Sequence, residues 1–250
     1  MDDQVFFTFD FDWASDEVLS FTLEVLEESG VDQATFFVTH KTPLLSNIRD
    51  AGYELGIHPN MLSILRSKEE RSPRQLVEDL KEIVPTATSV RSHGLVRSSS
   101  LSSLYRDMGF THECNSLIPV CNNITTKPYE FPTGLLHIPH CWGDSWQLSA
   151  DKWFSPDKLL RREGLNVLLF HPIHLFINTH SESHYQKAKQ NTGNHAKLAT
   201  HVNHKHFGIR DYLRNCAKTV QEKGLEMGRV CDIVPSKRNE TTNGDRSPFV

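Results

Sequence analysis

Cysteine is sparse in this chain. Its 250 residues hold five, at positions 114, 121, 141, 216 and 231, and none forms a C-x-x-C pair. An odd, scattered set fits reduced thiols better than a disulfide framework or a zinc knuckle. No uninterrupted run of 18 apolar residues occurs, so no membrane-spanning helix is expected. A basic cluster is missing too. The 27 Lys and Arg are outnumbered by 31 Asp and Glu, for a formal charge of −4, which argues against nucleic acid as the main partner. Met1-Asp2-Asp3 lack the basic start and apolar stretch of a signal peptide, so the cytoplasm is the expected compartment. What the chain has in quantity is apolar material for a core, 38% of residues, and histidine, fourteen of them. Imidazole is both a metal ligand and a proton carrier near neutral pH, so the question is which histidines do chemistry.

Short apolar runs alternate with amphipathic ones. Strands are expected at 5–12, 34–39, 53–58, 89–93, 110–114, 135–138 and 166–171, with a last strand at 230–234. Helices are expected at Asp16–Glu28, 44–51, Pro73–Ile83, 101–108, 156–163 and 208–224, several closed by glycine. The alternation implies a parallel sheet with helices packed outside it, and about seven such units suit one distorted (β/α) barrel over residues 1–234. Two stretches break the pattern. Residues 178–207 are polar, aperiodic and hold six histidines, and read as a long loop that covers the site. Residues 235–250 read as a disordered tail.

In parallel α/β folds, active sites gather at the carboxyl ends of the strands. The first expected strand ends in Asp10-Phe11-Asp12, whose two carboxylates share a face. Like charges so close are costly unless a cation neutralises them or one takes a proton. The third strand ends in His58-Pro59-Asn60, the fourth in Arg91-Ser92-His93-Gly94, and the strand near 170 in Phe170-His171-Pro172. One Asp with two or three His suits Zn²⁺ or another divalent transition metal with an open water position. A spare Asp suits a general base and a spare His a general acid, the ingredients of metal-assisted hydrolysis.

These motifs also carry a resemblance. Phe7-Thr8-Phe9-Asp10-Phe11-Asp12, Ala34-Thr35-Phe36-Phe37-Val38, Gly52 to His58, Arg91-Ser92-His93-Gly94, Ile138 to Asp144 and Leu169-Phe170-His171 follow in the order found in NodB-homology polysaccharide deacetylases, carbohydrate esterase family four. The likeness spans roughly residues 5–175, and the D-x-D and His-Pro-Asn motifs resemble the WbmS-like branch of bacterial surface-polysaccharide biosynthesis. The resemblance implies N-deacetylation of an amino sugar with a divalent metal, for which zinc is the expected ion. It implies Asp10 as base, Asp12 and His58 as metal ligands, Arg91 holding the base, and His171 as acid. Leu169 would line the acetyl pocket, Trp142 would wall the site, and Asp144 and Asn60 would contact substrate. One departure stands out. The family's second metal histidine, four residues after the first, is replaced by Leu62. His93 is the first substitute, with Asn60, His40 or a histidine of 178–207, such as His184, as others. Two further readings stay open: a non-sugar C–N hydrolase on the same barrel, and a carbohydrate-binding protein that has lost its metal.

Overall fold

The computed structural model describes residues 3–122, 124–150, 153–160 and 163–234. The expected tail at 235–250 lies outside the described residues. Among them, ten strands form one sheet: β1 (Gln4–Asp10), β2 (Ala34–Val38), β3 (Glu54–Ile57), β4 (Ser89–Val90), β5 (His112–Glu113), β6 (Tyr129–Glu130), β7 (Leu136–His137), β8 (Trp142–Gly143), β9 (Asn166–Phe170) and β10 (Glu226–Met227). The order is β6-β7-β5-β4-β3-β2-β1-β9-β8, with β10 beside the start of β1. Every pairing is parallel except β6 with β7. The sheet curls into a half-barrel. One extended stretch, residues 136–143, pairs with β5 at its start and with β9 at its end, and His140 bridges to Leu117 between them.

Alternation along β1 sets the layers. Val5, Phe7, Phe9 and Phe11 face the outer helices, while Phe6, Thr8 and Asp10 face the barrel interior. Helices α1 (Asp16–Glu28), α2 (Leu44–Asp50), α3 (Met61–Leu65), α4 (Pro73–Ile83), α5 (Ser99–Asp107), α6 (Asp144–Leu148), α7 (Pro156–Leu159), α8 (Pro172–Phe176), α9 (Glu182–Lys189), α10 (His195–Ala199) and α11 (Ile209–Lys223) complete the chain. In α1, buried Val18, Leu19, Thr22, Val25 and Leu26 recur at helical spacing. In α4, Ser72 and Gln75 form a reciprocal capping box with Pro73 in the first turn.

Three expectations need correction. Residues 178–207 are not an irregular loop. They hold α9 and α10, anchored by buried Ala188 and Leu198 against Val18, Phe176 and Ile177. Each helix buries a single anchor residue, too little to print a period in the sequence. Asn178 and Asn203 tie the ends of the excursion together: Asn203 Nδ2 donates to the Asn178 carbonyl (3.0 Å) and Asn178 Nδ2 to Asp211 (2.8 Å). The expected last strand at 230–234 is a 3₁₀ turn, Val230–Asp232, with the strand displaced to β10. That turn plugs the barrel end opposite the strand carboxyl termini: Val230 and Ile233 enter the interior core, and the Cys231 N–H donates to buried Glu54 (2.9 Å). Of the helix expected at 156–163, α7 covers Pro156–Leu159, and residues 161–162 lie outside the described residues. The five cysteines are free thiols, and no described helix is long and apolar enough to cross a membrane.

Candidate active site

The carboxyl ends of β1, β3, β4 and β9 deliver Asp10, His58, Arg91 and His171 to one mouth. Asp10 is the last residue of β1 and is buried. Arg91, fully buried, donates from Nη1 to Asp10 Oδ1 (2.9 Å) and to Thr8 Oγ1 (3.0 Å), and from Nε to the Cys114 carbonyl (3.2 Å). Its guanidinium lies 4.4 Å from the Phe37 ring centroid. A buried arginine this constrained can do little but hold the carboxylate. One oxygen of Asp10 is thereby committed. The other, Oδ2, faces the mouth, 3.7 Å from His58 Nε2.

Asp12 lies past the strand, where the chain turns with positive φ at Asp12 (45°) and Trp13 (57°). Such backbone in non-glycine residues costs free energy and persists only where its surroundings over-determine it. The turn brings Asp12 Oδ1 to 3.1 Å from His58 Nε2 and 3.0 Å from His93 Nδ1, with the two imidazole nitrogens 3.3 Å apart. Burial would raise the Asp12 pKa, but the charge of His171 and hydrogen bonds from His58 and His93 outweigh it and hold the carboxyl far below its usual range. His93 arrives by a route the sequence did not suggest. The strand stops at Val90, and His93 sits in a 3₁₀ turn made possible by Gly94 at φ 69°, its N–H donating to the Pro59 carbonyl (3.0 Å).

This donor set fits a divalent metal. A tetrahedral ion with bonds of about 2.0–2.1 Å keeps its ligand atoms about 3.3 Å apart. Three such atoms meet here at 3.0–3.3 Å, around one carboxylate oxygen and two imidazoles. A second convergence, Asp144 with His171 and His174, differs in kind. Asp144 is fully buried and saturated: it accepts from the His171 N–H (2.6 Å), from the Ser145 N–H (2.6 Å) and from His171 Nδ1 (2.7 Å). It is an anchor for an imidazole. Since an ionised carboxylate only accepts, the His171 proton stays on Nδ1, and Nε2 faces the mouth, 3.5 Å from Asp12 Oδ2. Burial would lower the His171 pKa, but the charges of Asp144 and then Asp12 raise it to about 10. His174, behind it, donates or accepts at Thr179 Oγ1 (2.9 Å), and burial pulls its pKa down to about 4.

The remaining expected residues divide. Leu169 lies in the barrel beside Gly143, with little accessible surface left. Asn60 lines a cavity next to His58, but its side-chain Oδ1 caps α3 by accepting from the Ser63 N–H (3.1 Å). Trp142 does not wall the site. It is fully buried on the helix side of the sheet, stacked on Tyr212 (4.7 Å between centroids) and against Phe170, with Nε1 donating to Gln147 (3.1 Å). Asp144 cannot touch substrate, since it has no accessible surface; its partner is His171. The alternation that aims Leu169 inward aims its neighbours outward, which puts Trp142 in the core. His40 bonds Thr39 (2.8 Å), and His184 bonds the His201 carbonyl (2.7 Å), so neither joins the Asp12 cluster.

Two cavities open from the mouth, and Trp13 borders both. One, of about 500 Å³, runs from Asp12 and His93 past Tyr185 to Lys189, Thr192 and Gly193. The other, of about 680 Å³, adjoins His58 and Asn60 and reaches Lys41, Lys68 and Arg71. Trp13 is half exposed, its ring edge against His93 at 5.1 Å between centroids. Trp13 and Tyr185 join the site with no expectation from the sequence, and His174, three residues past His171 and beyond a proline, backs the site without entering it. An exposed tryptophan beside a metal-type D-x-D was the one signal available.

A family profile described as WbmS-like polysaccharide deacetylase matches residues 7–189. Among solved structures, WbmS of Bordetella bronchiseptica, described as a polysaccharide deacetylase involved in O-antigen biosynthesis, is 33% identical. It aligns over 86% of this chain and 90% of its own with a TM-score of 0.79. The Bc1960 peptidoglycan N-acetylglucosamine deacetylase shares the fold at 16% identity, over 94% and 90% of the two chains, with a TM-score of 0.51. No curated protein matches the sequence.

Proposed function

Because this chain belongs to the WbmS-like polysaccharide deacetylase family, we propose that its site removes the N-acetyl group of an amino sugar during surface-polysaccharide biosynthesis. Asp12, His58 and His93 hold a divalent metal, zinc by the chemistry of the set. Bound there, the metal would polarise the amide carbonyl and acidify water. The observation that carries the reading is that Asp10 and His171 both border that set, with Asp10 Oδ2 at 3.7 Å from His58 Nε2 and His171 Nε2 at 3.5 Å from Asp12 Oδ2.

Asp10 accepts the proton of the attacking water at Oδ2, while Arg91 keeps Oδ1 occupied and the carboxylate oriented. As water oxygen bonds to the carbonyl carbon, the C–N bond weakens, and His171 Nε2 gives its proton to the departing nitrogen. The products are acetate and the free amine. Asp144 supports the imidazolium that this step requires and fixes the ring's orientation. The reading includes a cytoplasmic setting for the reaction.

The test is acetate release from N-acetylated sugars by metal-loaded protein, with elemental analysis alongside. Asp10→Asn and His171→Ala are expected to retain metal and lose activity by roughly 10²–10⁴-fold. A substrate with a better leaving group rescues His171→Ala but not Asp10→Asn. Equal rescue, or loss of metal from either variant, overturns the roles.

A further inference from the structure

The cavity that runs from the metal-type cluster to α9 has an unusual charge pattern. Asp12 and His93 close one end, with Asp12 Oδ1 committed to His58 and His93 and Oδ2 turned toward His171 and the cleft. Trp13 and Tyr185 form aromatic sides, with Ile173, Val18 and Leu198 completing an apolar wall. At the far end stands Lys189, the only cationic side chain of the lining other than histidine. No carboxylate pairs with Lys189 among the described residues; its nearest recorded partner is the Tyr185 ring, 5.7 Å from Nζ to the centroid. The second cavity is different. There Arg71 is already neutralised by Glu69 (2.7 Å) and Asp79 (2.6 Å).

Placement of Lys189 is not left to a flexible loop. It sits in the last turn of α9, one residue from buried Ala188, the anchor of that helix. Tyr185, one turn earlier, packs its ring edge on His174 (4.5 Å between centroids), which in turn neighbours the His171–Asp144 pair. So the helix is anchored at both Tyr185 and Ala188, and the exposed Lys189 side chain leaves it on the cavity's lining. An aromatic-sided cavity of this volume suits a sugar ring, whose apolar faces lie against tryptophan and tyrosine. A cation at the far end, without its own counter-charge, calls for an anionic oxygen on the ligand.

We infer that Lys189, aligned by Tyr185 and α9, is a specificity residue that selects an N-acetylated sugar unit bearing an anionic oxygen group. This rests on the deacetylase reading above. The anion can be a ring carboxylate or a phosphate on the sugar, and the experiment separates them.

Acetate release is measured with metal-loaded enzyme on three probes: N-acetylglucosamine, its 6-carboxylate analogue 2-acetamido-2-deoxyglucuronate, and N-acetylglucosamine 1-phosphate. The quantity read is the ratio of kcat/KM between each anionic probe and the neutral one. Wild-type enzyme is expected to favour one anionic probe by about tenfold or more, the scale of a charge-assisted hydrogen bond. Lys189→Gln erases that ratio, Lys189→Glu inverts it, and Lys189→Arg retains it, with the change falling on KM and shrinking at high salt. The probe whose preference depends on Lys189 identifies the anion. Retained thermal unfolding temperatures show that the variants fold, and the Gln and Arg pair suffices should Glu disturb the helix. Equal use of neutral and anionic probes by wild type, or a ratio that Lys189→Glu does not move, overturns the inference and leaves the deacetylase reading standing. Release of acetate from none of the three by wild type counts against the deacetylase reading itself, and the inference falls with it.

Discussion

The barrel buries a carboxylate at each end, and the two are treated in opposite ways. Glu54, at the plugged end, is saturated: Ser89 and Thr35 hydroxyls and the Cys231 N–H all donate to it. Neutral donors from three other segments of the chain meet there, and nothing is left for a ligand. Asp10, at the open end, has one oxygen held by Arg91 and the other directed at the mouth. A saturated buried carboxylate is a fastening between segments. A half-satisfied one, beside a cluster of metal-type donors, is the group that the proposed reaction uses as its base. The same contrast separates Asp144, which is saturated, from Asp12, whose second oxygen remains toward the cleft.

The contrast is broken most directly by exchanging roles. Asp10→Asn is expected to lose roughly 10²–10⁴-fold in kcat/KM while its unfolding temperature stays close to wild type. A large fall in stability together with the activity would make Asp10 a fastening as well. Glu54→Ala is expected to do the reverse. It strands several buried donors and should lower stability by about 3 kcal/mol, or roughly 6–12 °C at about 2–4 °C per kcal/mol for a domain this size. Residual folded enzyme should keep its kcat.

The paired histidines sharpen the comparison through pH. In metal-free protein, His174 has its pKa lowered by burial to about 4. From pH 6.5 downward the unfolded chain takes a proton that the folded one refuses, so stability falls as pH drops toward 4. His171 is raised to about 10. Between pH 6.5 and 10 the folded state keeps a proton the unfolded chain releases, so its contribution is full below 6.5 and is lost as pH rises through 10. Each limb spans up to about 3–5 kcal/mol. Unfolding temperature against pH in chelator-treated protein should peak near 6.5. Variant His174→Phe should flatten the acid limb, and an unchanged acid limb in that variant would remove His174 from the account.

Smaller effects are expected around the imidazoles. Asp144→Asn deprives His171 of its counter-charge, with activity down by roughly 10–100-fold on the scale seen for partners that orient a functional imidazole. The alkaline limb of kcat/KM should move to lower pH, which a merely structural role would not produce. His93→Ala should weaken metal affinity by about tenfold or more. Unchanged affinity, read by competition with a chelator, would return the third ligand to the other candidates.

Much of the site was legible because strand ends in a parallel sheet converge by construction. Asp10, His58, Arg91 and His171 needed only the expectation of β1, β3, β4 and β9 to be placed together. The partners that make them work were not legible. Asp144 lies 27 residues before His171, and their pairing exists only because residues 136–143 cross from β5 to β9. Trp142 looked like a site residue and is core, because which face a two-residue strand presents is set by its neighbours.

By itself, then, the sequence determined the alternating elements, the parallel sheet and the donor types at its open edge. These follow from local periodicity and from residues that end strands, such as the prolines after His58 and His171. Tertiary structure alone decided that His93 reaches Asp12 from a turn, and that Asp144 serves His171 instead of the substrate. It also decided that the histidine-rich stretch folds into helices bearing Tyr185 and Lys189. Each of these depends on contacts between distant segments, whose free energy comes from burial and from satisfying charge in the interior, and neither leaves a local mark on the chain.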